Sequence, residues 1–233
     1  DKNRFLPGGT TFVPSSLSLN ALLNSALVVT ILFAVVSVAF ETLLGLGQAL
    51  ILDQDFYGRR WVRAAIIIPW AVPIVIQGMI FFLMFNSNVG FATPPLADLG
   101  LLAPTNTLND TASATFIIIV ADIWKTSAFM ALLILAGLQS IDRGLYDVAK
   151  VAGASKWQQF KLITLPLILP TIGVAILFRS VAAMRVYGII DTVSSCTVVP
   201  SLSCMVVATF NTRVGTSAAI AFVTAAIIGA VVM

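Results

Sequence analysis

Residues 146–170 read YDVAKVAGASKWQQFKLITLPLILP, a polar stretch with a central glycine that runs into an apolar segment. From Asp142 onward, apolar residues recur at helical spacing and predict a short amphipathic helix. Its apolar face comprises Leu145, Val148, Ala149 and Ala152. Gly153 suits the left-handed position that commonly ends such a helix.

A second short helix is predicted directly after this glycine. Ser155 and Gln158 are three residues apart and match a capping box, which marks the start of a helix. This second helix carries Trp157 and Phe160 toward the membrane. We call the whole segment, residues 139–161, the elbow. Any long loop of a helical bundle can contain an amphipathic helix, so the pattern alone leaves the role of the elbow open.

The composition of the chain is that of a membrane protein. Of its 233 residues, 59% are hydrophobic and only 10% are charged, and the mean hydropathy is +1.02. Soluble domains carry about a quarter charged residues, so we expect membrane lipid around this chain. The net charge of +3 is small and scattered, which does not favour a nucleic-acid partner. No metal site is expected, because the chain contains no His and two Cys do not make a zinc site.

Five apolar segments are long enough to be membrane spans, since about 20 apolar residues cross a bilayer. They are residues 22–52, 64–85, 114–138, 162–184 and 217–233. An all-α membrane protein is therefore predicted. Prolines predict helix breaks in the second segment and at the start of the fourth. These prolines are Pro69, Pro73, Pro166 and Pro170.

The distribution of Lys and Arg predicts the orientation of the chain. Two loops are basic, and they contain Arg59, Arg60 and Arg63, and Arg143, Lys150, Lys156 and Lys161. Residues 86–113 contain neither Lys nor Arg. The positive-inside rule then places both basic loops, and the elbow with them, in the cytoplasm of a cell with a plasma or inner membrane. The outer segments carry mild exceptions, which are Lys2, Arg4 and Arg213. Because the chain starts in a polar stretch and stops within an apolar run, we expect a longer polypeptide, with a further helix before residue 1 and more chain after residue 233.

Several motifs resemble those of ABC-importer permeases. The elbow resembles their EAA loop in Asp147-Val148-Ala149, Gly153-Ala154, Phe160, Ile163, Leu165-Pro166 and Pro170. Four further stretches resemble sugar-importer permeases of the MalF/UgpA type, including trehalose permeases; they are FETLLGLGQALIL, RRWVRAAIIIPWAVPIV, DIWKTSAFMALLILAGLQSI and LFRSVAAMRVYGIID. The chain departs from the family pattern at Asp147, where Glu is usual, and at Ala152, where Asp is usual. The missing second carboxylate puts any particular salt bridge to a partner in doubt.

The resemblance implies a transmembrane helical bundle of the MetI/MalF-like type, with its five-helix core in one transmembrane domain, residues 1–233. The elbow would be a coupling loop that seats in a cleft of an ATP-binding subunit. The residues implied in coupling are Asp147, Val148, Ala149, Gly153, Ala154, Trp157, Phe160, Leu165 and Pro166. Implied partners are a second permease subunit, two ATP-binding subunits and an extracytoplasmic sugar-binding protein. The chain lacks a phosphate-binding P-loop motif, so we expect no enzymatic activity here and expect ATP and Mg²⁺ to bind the partner subunits.

A sugar site requires flat apolar faces for the ring and amide or charged groups for the hydroxyls. Candidates on the second segment are Trp70, Gln77, Phe81 and Phe82, and candidates beyond the fourth are Arg185, Tyr187 and Asp191. Aromatic residues near span ends also serve as interfacial anchors. Ionisable residues at membrane depth either pair to lock helices together or touch substrate; they are Glu41, Asp122, Lys125 and Arg179. Of these, Asp122 and Lys125 are close enough on one helix to pair, and both are also candidates for substrate binding.

Cys196 and Cys204 both fall in the predicted extracytoplasmic loop around Pro200. A disulfide is permitted outside the cytosol, and two free thiols are an equal alternative.

Two other classes of function are alternatives to an ATP-driven sugar importer. A secondary transporter or channel would predict inverted repeats and an ion path through the spans, and the sequence shows no such repeat. An intramembrane enzyme would need a nucleophile beside a base, and the chain has no His and no Ser or Cys in such a setting.

Overall fold

The computed structural model describes residues 10–232 and shows them to be predominantly α-helical. Lys2 and Arg4, two of the basic residues expected outside, lie beyond the described residues. The α-helices in chain order are α1 (Leu19–Leu23), α2 (Ala26–Asp53), α3 (Arg59–Ala71), α4 (Ile74–Phe85), α5 (Thr93–Asp98), α6 (Thr111–Gln139), α7 (Gly144–Val151), α8 (Lys156–Gln159), α9 (Leu165–Met184), α10 (Gly188–Val193), α11 (Leu202–Phe210) and α12 (Val214–Val232).

Four of the five predicted spans are confirmed, whereas the second, residues 64–85, is divided between two helices, α3 and α4. Within residues 10–232, four helical segments are long and apolar enough to cross a bilayer, and α3 with α4 supplies a fifth if the pair crosses together. The four are Ala26–Asp53, Thr111–Gln139, Lys156–Met184 and Val214–Val231. A helix satisfies its own backbone hydrogen bonds, which is why such segments are stable in hydrocarbon.

The predicted proline breaks are right at one position and wrong at three. The second segment breaks before Pro73, whose extended backbone (ψ 143°) precedes α4, because the residue before a proline is disfavoured in helical conformation. Pro69 lies inside α3 and Pro170 inside α9 without ending either helix. Ahead of Pro166 the chain forms a π-helical turn over Phe160–Thr164 rather than a break.

The π-helical turn has a direct physical reason. The N–H of Leu165 donates to the carbonyl of Phe160, five residues back, which widens the turn just ahead of Pro166. A proline ring clashes with the carbonyl four residues before it, and a wider turn relieves that clash. The helix therefore runs without interruption from Lys156 to Met184.

Internal contacts divide the chain into two compact units. The first unit comprises Asp1–Ser37, Val72–Asp122 and Ser180–Met233, and the second comprises Val38–Ala71 and Ile123–Arg179. In the second unit, buried apolar side chains of α2, α6, the loop after α6 and α9 form a core; they are Ala49, Leu52, Ile134, Leu135, Leu138, Ile141, Ile168 and Ile172. Glycines allow the backbones to approach closely: a Cβ on Gly45 would lie 2.6 Å from the Cβ of Met130, and one on Gly137 would lie 2.9 Å from the Thr171 hydroxyl. Such small-residue contacts are typical of packed membrane helices.

The first unit has its own core, in which Ala26, Leu202, Met205 and Ile220 are buried together. The start of α11 is fixed by Ser201, whose hydroxyl accepts from the N–H of Cys204 and donates to the carbonyl of Val186. Helix α4 also packs on α10 at a glycine, since a Cβ on Gly78 would overlap the side chain of Thr192.

Candidate coupling site

The first half of the elbow folds as predicted from its sequence. Helix α7 ends at Val151 with Ala152 as its C-cap, and Gly153 takes a left-handed conformation with φ +80°. The N–H of Ala154 bonds to the carbonyl of Ala149 at 2.9 Å, and that of Gly153 bonds to the carbonyl of Lys150 at 3.0 Å. This pair of bonds is the Schellman arrangement, which satisfies carbonyls that the end of a helix leaves open.

The predicted capping box is also confirmed. The Ser155 hydroxyl accepts from the N–H of Gln158 at 3.3 Å, and the Gln158 side chain accepts from the N–H of Ser155 at 2.7 Å. The turn between α7 and α8 therefore has its backbone groups paired on both sides of Gly153. A segment with these groups satisfied holds one geometry rather than many.

Two contacts that the sequence did not predict attach the elbow to the end of α2 and to the turn before α9, within the second unit. Arg143 forms two hydrogen bonds with the Asp53 carboxylate at the end of α2, at 2.6 and 3.0 Å. The hydrogen bond to Asp53 raises the pKa of Arg143 against the opposing effect of partial burial. The Tyr146 hydroxyl lies 2.9 Å from that of the buried Thr164, at the π-helical turn before α9. Because Asp53 ends α2, just before the loop after the first span, and Arg143 lies in the loop after the third span, these two loops lie at the same end of the second unit.

The elbow presents an unusually apolar surface for a loop. Large apolar side chains on it are strongly exposed, with exposed fractions of 71% for Val148, 92% for Val151 and 69% for Trp157, and Leu162, directly after the elbow, is 71% exposed. The ring of Trp157 stacks on that of Phe160 with centroids 5.6 Å apart, which limits the orientations of both rings.

The structure brings the nine coupling candidates together along the elbow and the start of α9. Asp147 is exposed and pairs with Lys150 on the same helix at 2.9 Å. The other exposed candidates are Val148, Gly153, Trp157 and Pro166, and the half-buried ones are Ala149, Ala154, Phe160 and Leu165. A cleft of about 770 Å³ adjoins this surface and is lined by polar residues, among them Asp55, Arg59, Gln139 and Lys156. The arrangement is a stiff, largely apolar projection beside a polar cleft.

The buried charges of the second unit form a pair. Glu41 and Arg179 join α2 to α9 through two hydrogen bonds, one of them 3.0 Å long, and their side chains are 0% and 7% exposed. The sequence allowed two roles for these charges, which were pairing between helices and contact with substrate. In the described part of the chain, Glu41 and Arg179 pair between helices. Asp122 and Lys125 lie half-buried on α6.

The candidate sugar residues differ in their exposure. Gln77 is fully buried and donates its amide to the carbonyl of Ala121 at 2.6 Å, and Phe81 is buried and stacks on Phe85. Trp70, Phe82, Arg185 and Asp191 are exposed, whereas Tyr187 is half-buried. The Tyr187 hydroxyl points to the Asp191 carboxylate at 3.4 Å, and burial, followed by that negative charge, raises the pKa of Tyr187.

A second group of polar residues was not singled out from the sequence. A cavity of about 290 Å³ in the first unit is lined by Phe82 together with amide and hydroxyl side chains, which are Asn86, Ser87, Asn88, Asn106, Asn109 and Ser194. The high frequency of Asn between residues 86 and 109 is the signal that could have identified it. An aromatic face surrounded by amides has the chemistry that binds a sugar.

Cys196 and Cys204 are joined by a disulfide in the structure. The bond connects the segment after α10 to the buried side of α11, both within the first unit.

Comparison with known proteins gives the family. Residues 41–233 match the family described as the binding-protein-dependent transport system inner membrane component. The chain is 48% identical over 162 residues to the trehalose/maltose transport system permease protein MalF of Thermococcus litoralis, covering 70% of this chain and 55% of that protein. It is 36% identical over 163 residues to the trehalose transport system permease protein SugA of Mycobacterium tuberculosis, covering 70% of this chain and 52% of that protein. The chain thus spans about half the length of these relatives.

A solved structure shares the fold. A chain of a bacterial alginate ABC transporter, crystallised in complex with an alginate pentasaccharide-bound periplasmic protein, superimposes with a TM-score of 0.79 at 24% identity, covering 93% of this chain and 77% of that one. The match supports the MetI-like helical bundle that the sequence predicts. With its apolar helices and the family match over residues 41–233, the chain is a multi-pass membrane protein that belongs to the binding-protein-dependent transport system inner membrane component family.

Proposed function

We propose that this chain is one transmembrane subunit of an ATP-driven importer and that, with a second permease subunit, it forms the path for a sugar. The observation that carries the proposal is the elbow. It combines an exposed apolar surface, paired backbone caps and two fastenings to the helix ends of the second unit. Exposed apolar surfaces of this kind mark sites of protein contact.

The elbow couples the chain to an ATP-binding subunit through the nine candidate residues named above. A rigid element transmits a displacement instead of absorbing it. A push on α7 reaches the end of α2 through the contact of Arg143 with Asp53, and it reaches the start of α9 through the contact of Tyr146 with Thr164. Both helices can therefore move when the partner moves.

The remaining partners follow from this role. Two ATP-binding subunits hold ATP and Mg²⁺ and perform hydrolysis, so this chain has no catalytic residues of its own. An extracytoplasmic sugar-binding protein delivers the substrate, and the alginate transporter crystallised with its periplasmic protein supports such a partner. The relatives named for trehalose and maltose support trehalose or another disaccharide as the substrate.

The accessible candidates are the better sugar ligands. Trp70 and Phe82 offer aromatic faces, and Arg185 and Asp191 offer charged hydrogen-bonding groups. Gln77 and Phe81, which are enclosed, act through the packing of α4 and not by direct contact. Tyr187, Asp122 and Lys125 are half-buried. Each of them would contact the substrate only where a cavity opens beside its side chain.

Replacement of Gly153 tests the coupling role. We expect Gly153→Arg to remain in the membrane but to co-purify at least about tenfold less ATP-binding subunit, because a long charged side chain at φ +80° disrupts both the cap and the docking surface. Gly58→Arg is the matched control, since Gly58 also has positive φ (+91°) and open space around it. Gly153→Asn, which tolerates the left-handed conformation, should retain the subunit. Normal co-purification and transport by Gly153→Arg would refute the coupling role.

The side of the membrane is tested separately. With Lys156→Cys as the labelling site, a membrane-impermeant maleimide should react in inverted vesicles and not in intact cells. Labelling in intact cells would place the elbow outside and contradict the proposal.

ATP hydrolysis by the reconstituted complex identifies the substrate. With its binding protein present, one member of a panel of mono- and disaccharides should stimulate hydrolysis. A flat response from an intact complex would exclude these sugars as the substrate while leaving the coupling role in place.

A further inference from the structure

Three arginines meet at the start of α3 and enclose a small surface cavity. The cavity measures about 410 Å³ and is lined by Arg59, Arg60, Arg63 and Gln139. We call it the arginine cavity. All four residues belong to the second unit, so the cavity lies within one compact body.

The arginine cavity has an excess of positive charge. Arg59 pairs with Asp55 at 2.8 Å, although the Asp55 side chain is 97% exposed. Among residues 10–232, Arg60 and Arg63 have no carboxylate within 4.0 Å. Two guanidinium groups are thus uncompensated at one place, which favours an anion there.

Two donors of the arginines that line the cavity lack an acceptor among the described residues. The Nε–H groups of Arg59 and Arg63 are shielded from solvent, and neither finds an acceptor in the described part of the chain. A buried charged donor without a partner is costly, and native structures nearly always satisfy such groups. An anion in the cavity would supply acceptor oxygens and would neutralise the excess charge.

The position of the arginine cavity indicates which anion it binds. Tyr57 and Trp61 flank the arginines and are almost fully exposed, at 106% and 79%. The rest of α3 is apolar and continues toward α4 as part of a candidate span. Exposed aromatic and basic residues at the end of a span are typical of the depth of lipid headgroups. Basic pockets beside membrane helices bind anionic lipid headgroups. We therefore propose that the arginine cavity binds the phosphate of an anionic phospholipid.

Native mass spectrometry of the complete transporter tests this proposal. We would release the transporter from nanodiscs that contain phosphatidylcholine together with phosphatidylglycerol as the anionic lipid. Wild type should retain phosphatidylglycerol in preference to phosphatidylcholine. Arg63→Gln and Arg60→Gln should each reduce the retained fraction about fivefold or more. Arg60 is exposed, so its replacement does not disturb the packing of the chain.

Lys161→Gln is the matched control, because it removes one positive charge from an exposed site that does not line the arginine cavity. It should leave retention unchanged. Equal losses in all three variants would indicate nonspecific attraction and would overturn the proposal. Unchanged retention in both arginine variants would overturn it too.

The source of the anion is resolved by two further measurements. Adding inorganic phosphate to phosphatidylcholine nanodiscs should not reproduce the protection of α3 from hydrogen exchange that phosphatidylglycerol gives. If it did, the cavity would bind a soluble anion and not a lipid. If α3 were equally protected in pure phosphatidylcholine whenever the ATP-binding subunits were present, a partner carboxylate would occupy the cavity, and the lipid proposal would be wrong. None of these outcomes depends on sugar transport, so these measurements test lipid binding independently of the coupling role.

Discussion

The ion pairs Glu41–Arg179 and Asp147–Lys150 place similar chemistry in opposite surroundings within the second unit. The first is almost completely buried between α2 and α9, and the second is exposed on α7, where its side chains are 73% and 64% accessible. A buried charge depends on its partner, whereas an exposed charge is already solvated by water. Single substitutions of charged residues in the interior should therefore lower stability strongly. Charged residues on the surface of the elbow can be replaced with little loss of stability, which leaves them available for contact with a partner.

The largest expected effect comes from breaking the buried pair. Arg179→Met should lower the free energy of unfolding in detergent by about 3–5 kcal/mol, because it leaves Glu41 charged and unpaired in an apolar interior. The double variant with Glu41→Leu should recover much of this loss, since no buried charge remains. If Arg179→Met lowered the free energy of unfolding no more than a substitution at an exposed residue does, the stability of the interior would not depend on the ion pair.

A smaller effect is expected at Gly45, where the helices α2 and α6 approach closely. Gly45→Ala should cost about 1–3 kcal/mol in free energy of unfolding, because the new Cβ would lie 2.6 Å from the Cβ of Met130. Gly47→Ala, two residues on, meets open space and should stabilise the helix by up to about 1 kcal/mol. Denaturant titration of both variants checks the difference, and equal behaviour of the two glycines would contradict the packing described here.

The next effect in size is expected at the hydrogen bond that attaches the elbow to the turn before α9. Tyr146→Phe removes the hydroxyl that bonds to Thr164 and should cost about 1 kcal/mol. Hydrogen exchange of the amides of α7 should quicken about fivefold, while exchange in α6 stays unchanged. Tyr57→Phe, at a fully exposed tyrosine, should alter neither quantity. Unaltered exchange in Tyr146→Phe would mean that the elbow is held elsewhere.

The smallest effect belongs to the exposed pair. Lys150→Ala should change the free energy of unfolding by less than about 0.5 kcal/mol. The same denaturant titration measures it. If Lys150→Ala lowered the free energy of unfolding nearly as much as Arg179→Met does, the buried and exposed ion pairs would not differ in their contribution to stability.

The local chemistry of the elbow could be predicted because it depends on near neighbours in the sequence. A glycine in left-handed conformation and a Ser with a Gln three residues on specify their own hydrogen bonds. Spans could be predicted for a similar reason, since length and hydropathy suffice to identify a helix that crosses hydrocarbon. The effect of the prolines on the helices could not be predicted in this way. Whether Pro69 or Pro170 ends a helix depends on how the neighbouring turns and helices accommodate the missing hydrogen bond, and the π-helical turn before Pro166 is one such accommodation.

The sequence by itself determined the all-α membrane class, the places of the spans and the caps around Gly153, because each of these rests on composition or on residues a few positions apart. Only the tertiary structure decided that Glu41 meets Arg179 and that Arg143 meets Asp53, pairs that lie 138 and 90 residues apart in the chain. It alone also brought Gln139 beside the arginines of α3. Contacts at such separations depend on how the helices pack, and helix packing is set by the fit of many side chains together rather than by any local pattern.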